Sequence, residues 1–247
     1  MQGTDKRKER TMHKAKFFLA AMVFCGLIVR PACAGTVTGT IKYDGEVPKF
    51  KEIKMDADPI CLSHHTSPVY PENLVVGEGN TMANVFVYVK SGLPAKPYPA
   101  PKEAVTFDQN GCQYSPHVLG IMVGQPLKVL NPDGTLHNVH ALCKVNEEFN
   151  LAMPKTRTEV EKVFDKPEPM FSIKCDVHPW MGAYMAVMEH PFFSTTKTDG
   201  KFTIENLEPG TYEIEAWHEK LGTKTASVTV AGPETKVVDF TFSKASK

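Results

Sequence analysis

From Gly35 onward the chain is a succession of short runs in which apolar and polar residues alternate, each closed by turn-forming residues. GTVTGTIKY ends at Asp44-Gly45, and ANVFVYV, VGQPLKVLN and GAYMAVM follow. KFTIENL, GTYEIEAW, TASVTVAG and KVVDFTF then succeed one another across Asp199-Gly200, Pro209-Gly210, Leu221-Gly222 and Gly232-Pro233. A period of two sends successive side chains to opposite faces of a strand, so each run has an apolar face that must be buried against another sheet. The expected fold class is therefore all-β, built as sandwiches. Only KTRTEVEKVFD, residues 155–165, reads as locally helical.

Residues 1–34 have a different character. A basic lead-in (KRKER, then HKAK) precedes the apolar run FFLAAMVFCGLIV and the small residues Ala32-Cys33-Ala34, the pattern of a cleaved secretory signal. The run is short for a bilayer span, and no later segment is apolar for long enough to cross one. Seven of the 28 basic and two of the 28 acidic residues lie in this segment, so 21 and 26 remain, a net charge of about −5. That balance argues against nucleic acid and anionic membrane surfaces as partners. The expected location is periplasmic or secreted. Cys61, Cys112, Cys143 and Cys175 stay with the exported chain, where cysteines ordinarily form disulfides. No C-x-x-C-H occurs, which excludes covalent haem attachment.

Two composition breaks, LPAKPYPAPK at 93–102 and EHPFFSTTKTDG at 189–200, divide the remainder. They suggest a first part of an outer sandwich at 35–95, a separate β domain at 96–190 and the remainder of the outer sandwich at 191–247. The flanks, GTVTGTIKYDGEVP with ANVFVYV and TDGKFTIENLEPGTYEIEAWHEKLG with ASVTV, resemble the opening and closing strands of a carboxypeptidase regulatory-like, transthyretin-type sandwich. The resemblance implies that the middle domain is inserted into a discontinuous outer one; domains in series are the alternative.

The chemistry concentrates in FSIKCDVHPWMGAYMAV. The run FSIK delivers Cys175 to a strand end, Asp176–Trp180 contain a proline and interrupt the ladder, and GAYMAV resumes it. Cys175, His178 and Met181 thus share a tight loop. A thiolate, an imidazole and a weak thioether are three parts of a blue-copper ligand set that lacks only a second imidazole. Upstream, VGQPLKVLN ends at Asn131, turns at Pro132-Asp133-Gly134 and reaches His137-Asn138-Val139-His140.

Together these residues resemble the cupredoxins, of the amicyanin, pseudoazurin and plastocyanin type. The matching positions are Gly124, Leu127, Val129, Asn131 and His137-Asn138-Val139, then Phe171, Cys175, His178 and Met181. The resemblance implies one copper per chain, cycling between Cu(I) and Cu(II), held by His137, Cys175, His178 and the axial Met181. It implies that Asn138 braces the two ligand segments, with its backbone N–H toward the Cys175 sulfur. Pro179 and Trp180, apolar in an expected loop, are docking candidates, or else simple packing over it.

The remaining candidates have plainer readings. Met185 and Met188 lie in the resumed strand, where packing is the usual role of methionine. His140 is three residues from His137 and so faces the other way. His117 reads as an ordinary strand histidine, and Trp217 as packing within the outer sandwich. Cys61 with His64 and His65 offers a possible second metal cluster, but a Cys61–Cys112 disulfide is the preferred reading, which leaves Cys143 unpaired.

A site whose positions are all filled by protein suits outer-sphere, one-electron transfer. The expected function is an electron carrier, not an enzyme, between periplasmic redox proteins such as a cytochrome or a dehydrogenase. The alternatives are a copper-dependent oxidoreductase with a second copper site, for which no H-x-H pair is present, and a copper-binding or handover module.

Overall fold

The computed structural model describes residues 34–244; the secretory signal read at 1–34 lies, but for Ala34, outside them. Four sheets stack face to face. In the outermost, Gly35–Tyr43 pairs antiparallel with Lys201–Leu207 and parallel with Thr235–Val237 and Phe240–Phe242. The second orders Phe193–Thr195, Phe86–Ser91, Gly210–His218 and Gly222–Val230. The third orders Val118–Met122, Gly182–Met188, Glu168–Lys174, His137–Ala141 and Phe149–Met153. The fourth joins Val105–Asp108, Pro126–Leu130 and Glu159–Val163. The strand pairs of the outer two sheets thus join residues 35–91 to residues 193–242.

Alternation builds the layers. Val37, Ile41, Val85, Val87, Val89, Ile214 and Phe240 fill the outer core, whereas Phe107, Leu127, Val129, Val139, Ile173, Met185 and Val187 fill the inner one. Two strands are buried on both faces. Phe86 and Tyr88 point away from the outer core, and Tyr184, Ala186 and Met188 away from the inner one, so they meet in a third layer. Gly120 is part of this fit, because a Cβ there would lie 2.5 Å from the Phe86 ring and 2.7 Å from that of Phe193. Trp217 packs against Tyr184 in the same layer, with ring centroids 5.1 Å apart, and not inside the outer sandwich as expected.

Two further expectations are corrected. The segment read as helical holds the strand Glu159–Val163, which pairs antiparallel with Pro126–Leu130. Its helix-forming Glu and Lys residues are overridden by tertiary context: Val160 packs on the inner core, and Lys128 meets Glu159 across the ladder at 3.2 Å. Part of the stretch assigned to the outer sandwich at 35–95 packs elsewhere, since Met55 and Cys61 are buried in the inner core. This stretch carries the helical turn Pro59–Ser63, capped by Asp58, whose Oδ1 accepts from the N–H groups of Ile60 and Cys61.

Candidate metal centre

His137 opens its strand and pairs with Met153 on the neighbouring one. The turn before it is fixed by polar side chains turned inward. Asn131 Nδ2 donates to the Thr135 and Met153 carbonyls at 3.0 and 2.7 Å, and Gly134 supplies the left-handed residue, φ 73°. Asp133 accepts from the N–H groups of Gly111 and Cys112, both at 2.7 Å, and faces His137 Nε2 at 2.9 Å.

The second part of the site is the loop Cys175–Met181. Two backbone bonds close it, Cys175 N–H to the Met181 carbonyl at 3.2 Å and Met181 N–H to the His178 carbonyl at 3.0 Å. The His178 N–H points at the Cys175 sulfur from 3.4 Å. Asn138 ties the two parts together: its Oδ1 accepts from Asp176 N–H at 2.8 Å and from the Cys175 thiol at 3.2 Å.

These contacts bring His137, Cys175 and His178 to one point. The two Nδ1 atoms are 2.9 Å apart, and the Cys175 sulfur is 3.9 Å from Nδ1 of His178. Met181 closes the same loop and is buried in the same core, and all four residues are no more than 3 % exposed.

Each ring is held at its other nitrogen by a carboxylate. Asp133 takes Nε2 of His137, and Asp58 Oδ2 takes Nε2 of His178 at 3.1 Å while also accepting from the Thr135 hydroxyl. A carboxylate at Nε2 fixes the neutral tautomer with its proton there and its lone pair on Nδ1. Two such lone pairs aimed at each other across 2.9 Å repel, so a cation must sit between them, a proton or a metal ion. With a thiol as the third donor, the set fits a soft to borderline metal such as copper.

The electrostatics agree. Burial works against charging His137, but Asp133 and Cys175 outweigh it and lift its pKa to about 9. Burial raises the Cys175 thiol, yet His137 and the backbone N–H groups of Asn138, His178 and Val177 bring it below its ordinary value. Burial lowers His178 in spite of Asp58.

The other candidates fall elsewhere. Pro179 is exposed, and Trp180 is half-buried with its ring 5.0 Å from that of His178 and its indole N–H on the Cys112 carbonyl. Cys61 and Cys112 form a disulfide. His65 Nε2 meets the Gly111 carbonyl, and His64 Nε2 stands 3.6 Å from Asp133, so neither joins the donors around Cys175. His140 lies outside the cluster between Asp176 and Glu148, and His117 is paired with Glu219 at 2.6 Å. Cys143 is a buried free thiol whose pKa is pushed up to about 12 by burial and by Glu168 and Glu148, which leaves it unreactive. Sequence reasoning passed over Asp58 and Asp133; the Asp133-Gly134 pair read only as a turn.

Among solved structures, the chain is similar to a Cu-containing nitrite reductase from Thermus scotoductus SA-01, with 21% identity over 40% of this chain and a TM-score of 0.33. That match takes in only 25% of the reductase chain. It is similar to a purple cupredoxin from Nitrosopumilus maritimus, with 24% identity over 34% of this chain and 98% of that one and a TM-score of 0.28. It is also similar to a reduced amicyanin variant, with 22% identity over 40% and 97% of the two chains and a TM-score of 0.31. No curated protein matches the chain. Residues 186–243, which hold the strands of the outer two sheets from Phe193–Thr195 to Phe240–Phe242, match the carboxypeptidase regulatory-like domain family.

Proposed function

We propose that this chain is an exported type 1 copper protein that passes single electrons between redox partners. The observation that carries the reading is the convergence of the His137 and His178 Nδ1 atoms beside the Cys175 sulfur, each ring locked at Nε2 by its own carboxylate. His137, Cys175 and His178 would hold the metal, with Met181 as the weak fourth ligand. When bound, copper supplies a one-electron couple.

The chain's own residues do the rest. Asp133 and Asp58 keep the imidazoles from rotating, and Asn138 with the closed loop keeps the sulfur in place. Burial of all four side chains excludes water, so a change of charge at the centre meets little rearrangement and no small substrate finds an open position. His178 does not reach the surface, because Asp58 and Cys61 cover its edge; the exposed Pro179 and the half-buried Trp180 are the nearest landing place for a partner protein such as a cytochrome or dehydrogenase. Export is supported by the basic and apolar N-terminal segment and by the Cys61–Cys112 disulfide.

The test is a copper titration followed by visible absorption and electron paramagnetic resonance. One ion per chain, an intense colour that bleaches on one-electron reduction, and loss of that colour in Cys175→Ser are expected. A colourless cupric protein, or colour surviving in Cys175→Ser, refutes the assignment.

A further inference from the structure

The Cys61–Cys112 disulfide stands against the far side of a ligand ring. Cys61 Sγ is 3.6 Å from Nε2 of His178, the nitrogen that points away from Cys175, and Asp58 Oδ2 is 3.1 Å from the same atom. Donor atoms of Asp58, Cys61 and His178 all lie within 4.8 Å of one another, and Cys112 is bonded to Cys61. One sulfur and an imidazole nitrogen therefore meet immediately outside the inner centre, and the second sulfur, bonded to the first, lies with donor atoms of Asp133 and His137.

We infer that Cys61 and Cys112, once reduced to thiols, form with Nε2 of His178 a second metal site, selective for a soft monovalent ion such as Cu(I). Two thiolates and one imidazole are the donors such an ion prefers, whereas the single carboxylate of Asp58 is a hard oxygen that serves to orient the ring. A neutral imidazole binds a metal through one nitrogen only. His178 thus belongs to the inner site through Nδ1 or to the outer site through Nε2, and the state of the disulfide decides which.

The reduction balances with a dithiol protein as reductant: its two thiols give up two electrons and two protons and become a disulfide, while Cys61 and Cys112 become thiols. Each then releases its proton on binding the metal. Both sulfurs are buried, but the cover over Cys61 is the five-residue turn Pro59–Ser63, whose Ile60 and Leu62 already face solvent. A helical segment that short has little stability of its own and opens locally.

The experiment measures Cu(I) affinity by competition with a chromophoric cuprous chelator in the Cys175→Ser protein, which lacks the inner thiolate. A water-soluble trialkylphosphine cleaves the disulfide, taking the oxygen of one water to become its oxide. The reduced form is expected to bind one Cu(I) at least 100-fold more tightly than the disulfide form, and Cys61→Ser with Cys112→Ser in the same background to show no such gain. Affinity that changes less than threefold on reduction overturns the inference. So does a gain that persists without the two cysteines, or a copper absorption-edge spectrum showing sulfur neighbours without imidazole. If reduction unfolds the chain, Cys112→Ser alone in this background leaves the Cys61 thiol beside His178; it must bind more tightly than the form lacking both cysteines, and equal affinity overturns the inference. Blue colour in the disulfide form of the unmodified chain reports on the inner site alone, so failure of either reading is seen separately.

Discussion

Replacing Asp133 by Asn removes one charge and alters no volume, yet it should weaken both the fold and the metal centre. The carboxylate is fully enclosed and takes three bonds, from Gly111 N–H, Cys112 N–H and His137 Nε2–H. An amide has one oxygen, so its NH2 group must face at least one of those donors. One buried donor left unpaired costs about 1–3 kcal/mol, and bonds to a neutral acceptor are roughly half as strong as those to a carboxylate, so a loss of about 3 kcal/mol is expected for the metal-free protein. Removing the carboxylate behind a ligand histidine lowers metal affinity by about 10–100-fold. Urea denaturation of the metal-free chain reads the first quantity, and copper competition against a chelator reads the second. Burial works against ionising Asp133, but the His137 ring and the Cys112 and Gly111 N–H groups outweigh it and hold the carboxyl below its ordinary value. The stability it supplies is therefore present above the normal carboxylate range and lost as pH falls through the lower, folded-state value. The Asn variant should accordingly lose part of the unmodified chain's acid sensitivity. A denaturation midpoint that does not move, together with affinity unchanged within twofold, would show that Asp133 neither orients His137 nor clamps Cys112.

Other expectations rest on separate contacts. Asn138→Ala leaves Asp176 N–H and the Cys175 thiol without their shared acceptor, and should cost about 1–3 kcal/mol and displace the absorption band of the copper form; an unshifted spectrum with unchanged stability contradicts the bracing role. Gly120→Ala drives a methyl into the rings of Phe86 and Phe193 and should cost about 1–3 kcal/mol in thermal unfolding, with the colour retained; a neutral result means that the two sandwiches do not pack there. Replacing Cys61 and Cys112 by Ala opens a 51-residue separation, for which chain entropy gives a loss of about 4 kcal/mol, measured by urea denaturation; a loss under 1 kcal/mol refutes it. His218 is buried with Nε2 unpartnered, and burial first, then His117 and Lys220, depress its pKa to about 4. The unfolded chain takes up that proton near pH 6.5, so the contribution is complete above this value and is lost as pH falls toward 4, about 3 kcal/mol in all. His218→Phe should flatten the pH dependence of stability in that window, and an unchanged slope refutes the assignment.

The strands were legible because each exposes its period, and Cys175, His178 and Met181 stood out because a strand, a proline-bearing loop and a second strand are written consecutively. The layer between the sandwiches was also recorded, in the unbroken apolar runs VFVYV and AYMAVM, whose lack of polar alternation marks burial on both faces; it was read as strand and not as stacking. Glu159–Val163 misled because local helix preference is weak beside a cross-strand partner. Asp133, four residues before His137, showed only as a turn residue, and Asp58 left no local trace of its role, since what matters about both is a contact made after folding. Asp58 is 120 residues from His178, and its own surroundings announce only a helix cap.

That difference bears on the chemistry. The candidate ligands can be read from spacing, because four donors of the right kinds in the right order are improbable by accident, whereas a group such as Asp58 comes from whatever backbone passes nearby. For His178 that backbone is residues 50–72, attached through Asp58 to His178 and Thr135 and through Cys61 to Cys112, with Ile53, Met55 and Val69 packed on the inner core. The same attachment covers the imidazole edge from which an electron would otherwise leave. The rate of exchange with a partner should therefore depend on this segment more than on the ligands: Asp58→Ala, which frees Nε2 of His178 and uncaps Pro59–Ser63, should raise the self-exchange rate measured by NMR line broadening of the copper form while its colour persists. A rate unchanged by that substitution would mean that the cover over His178 plays no part in the path of the electron.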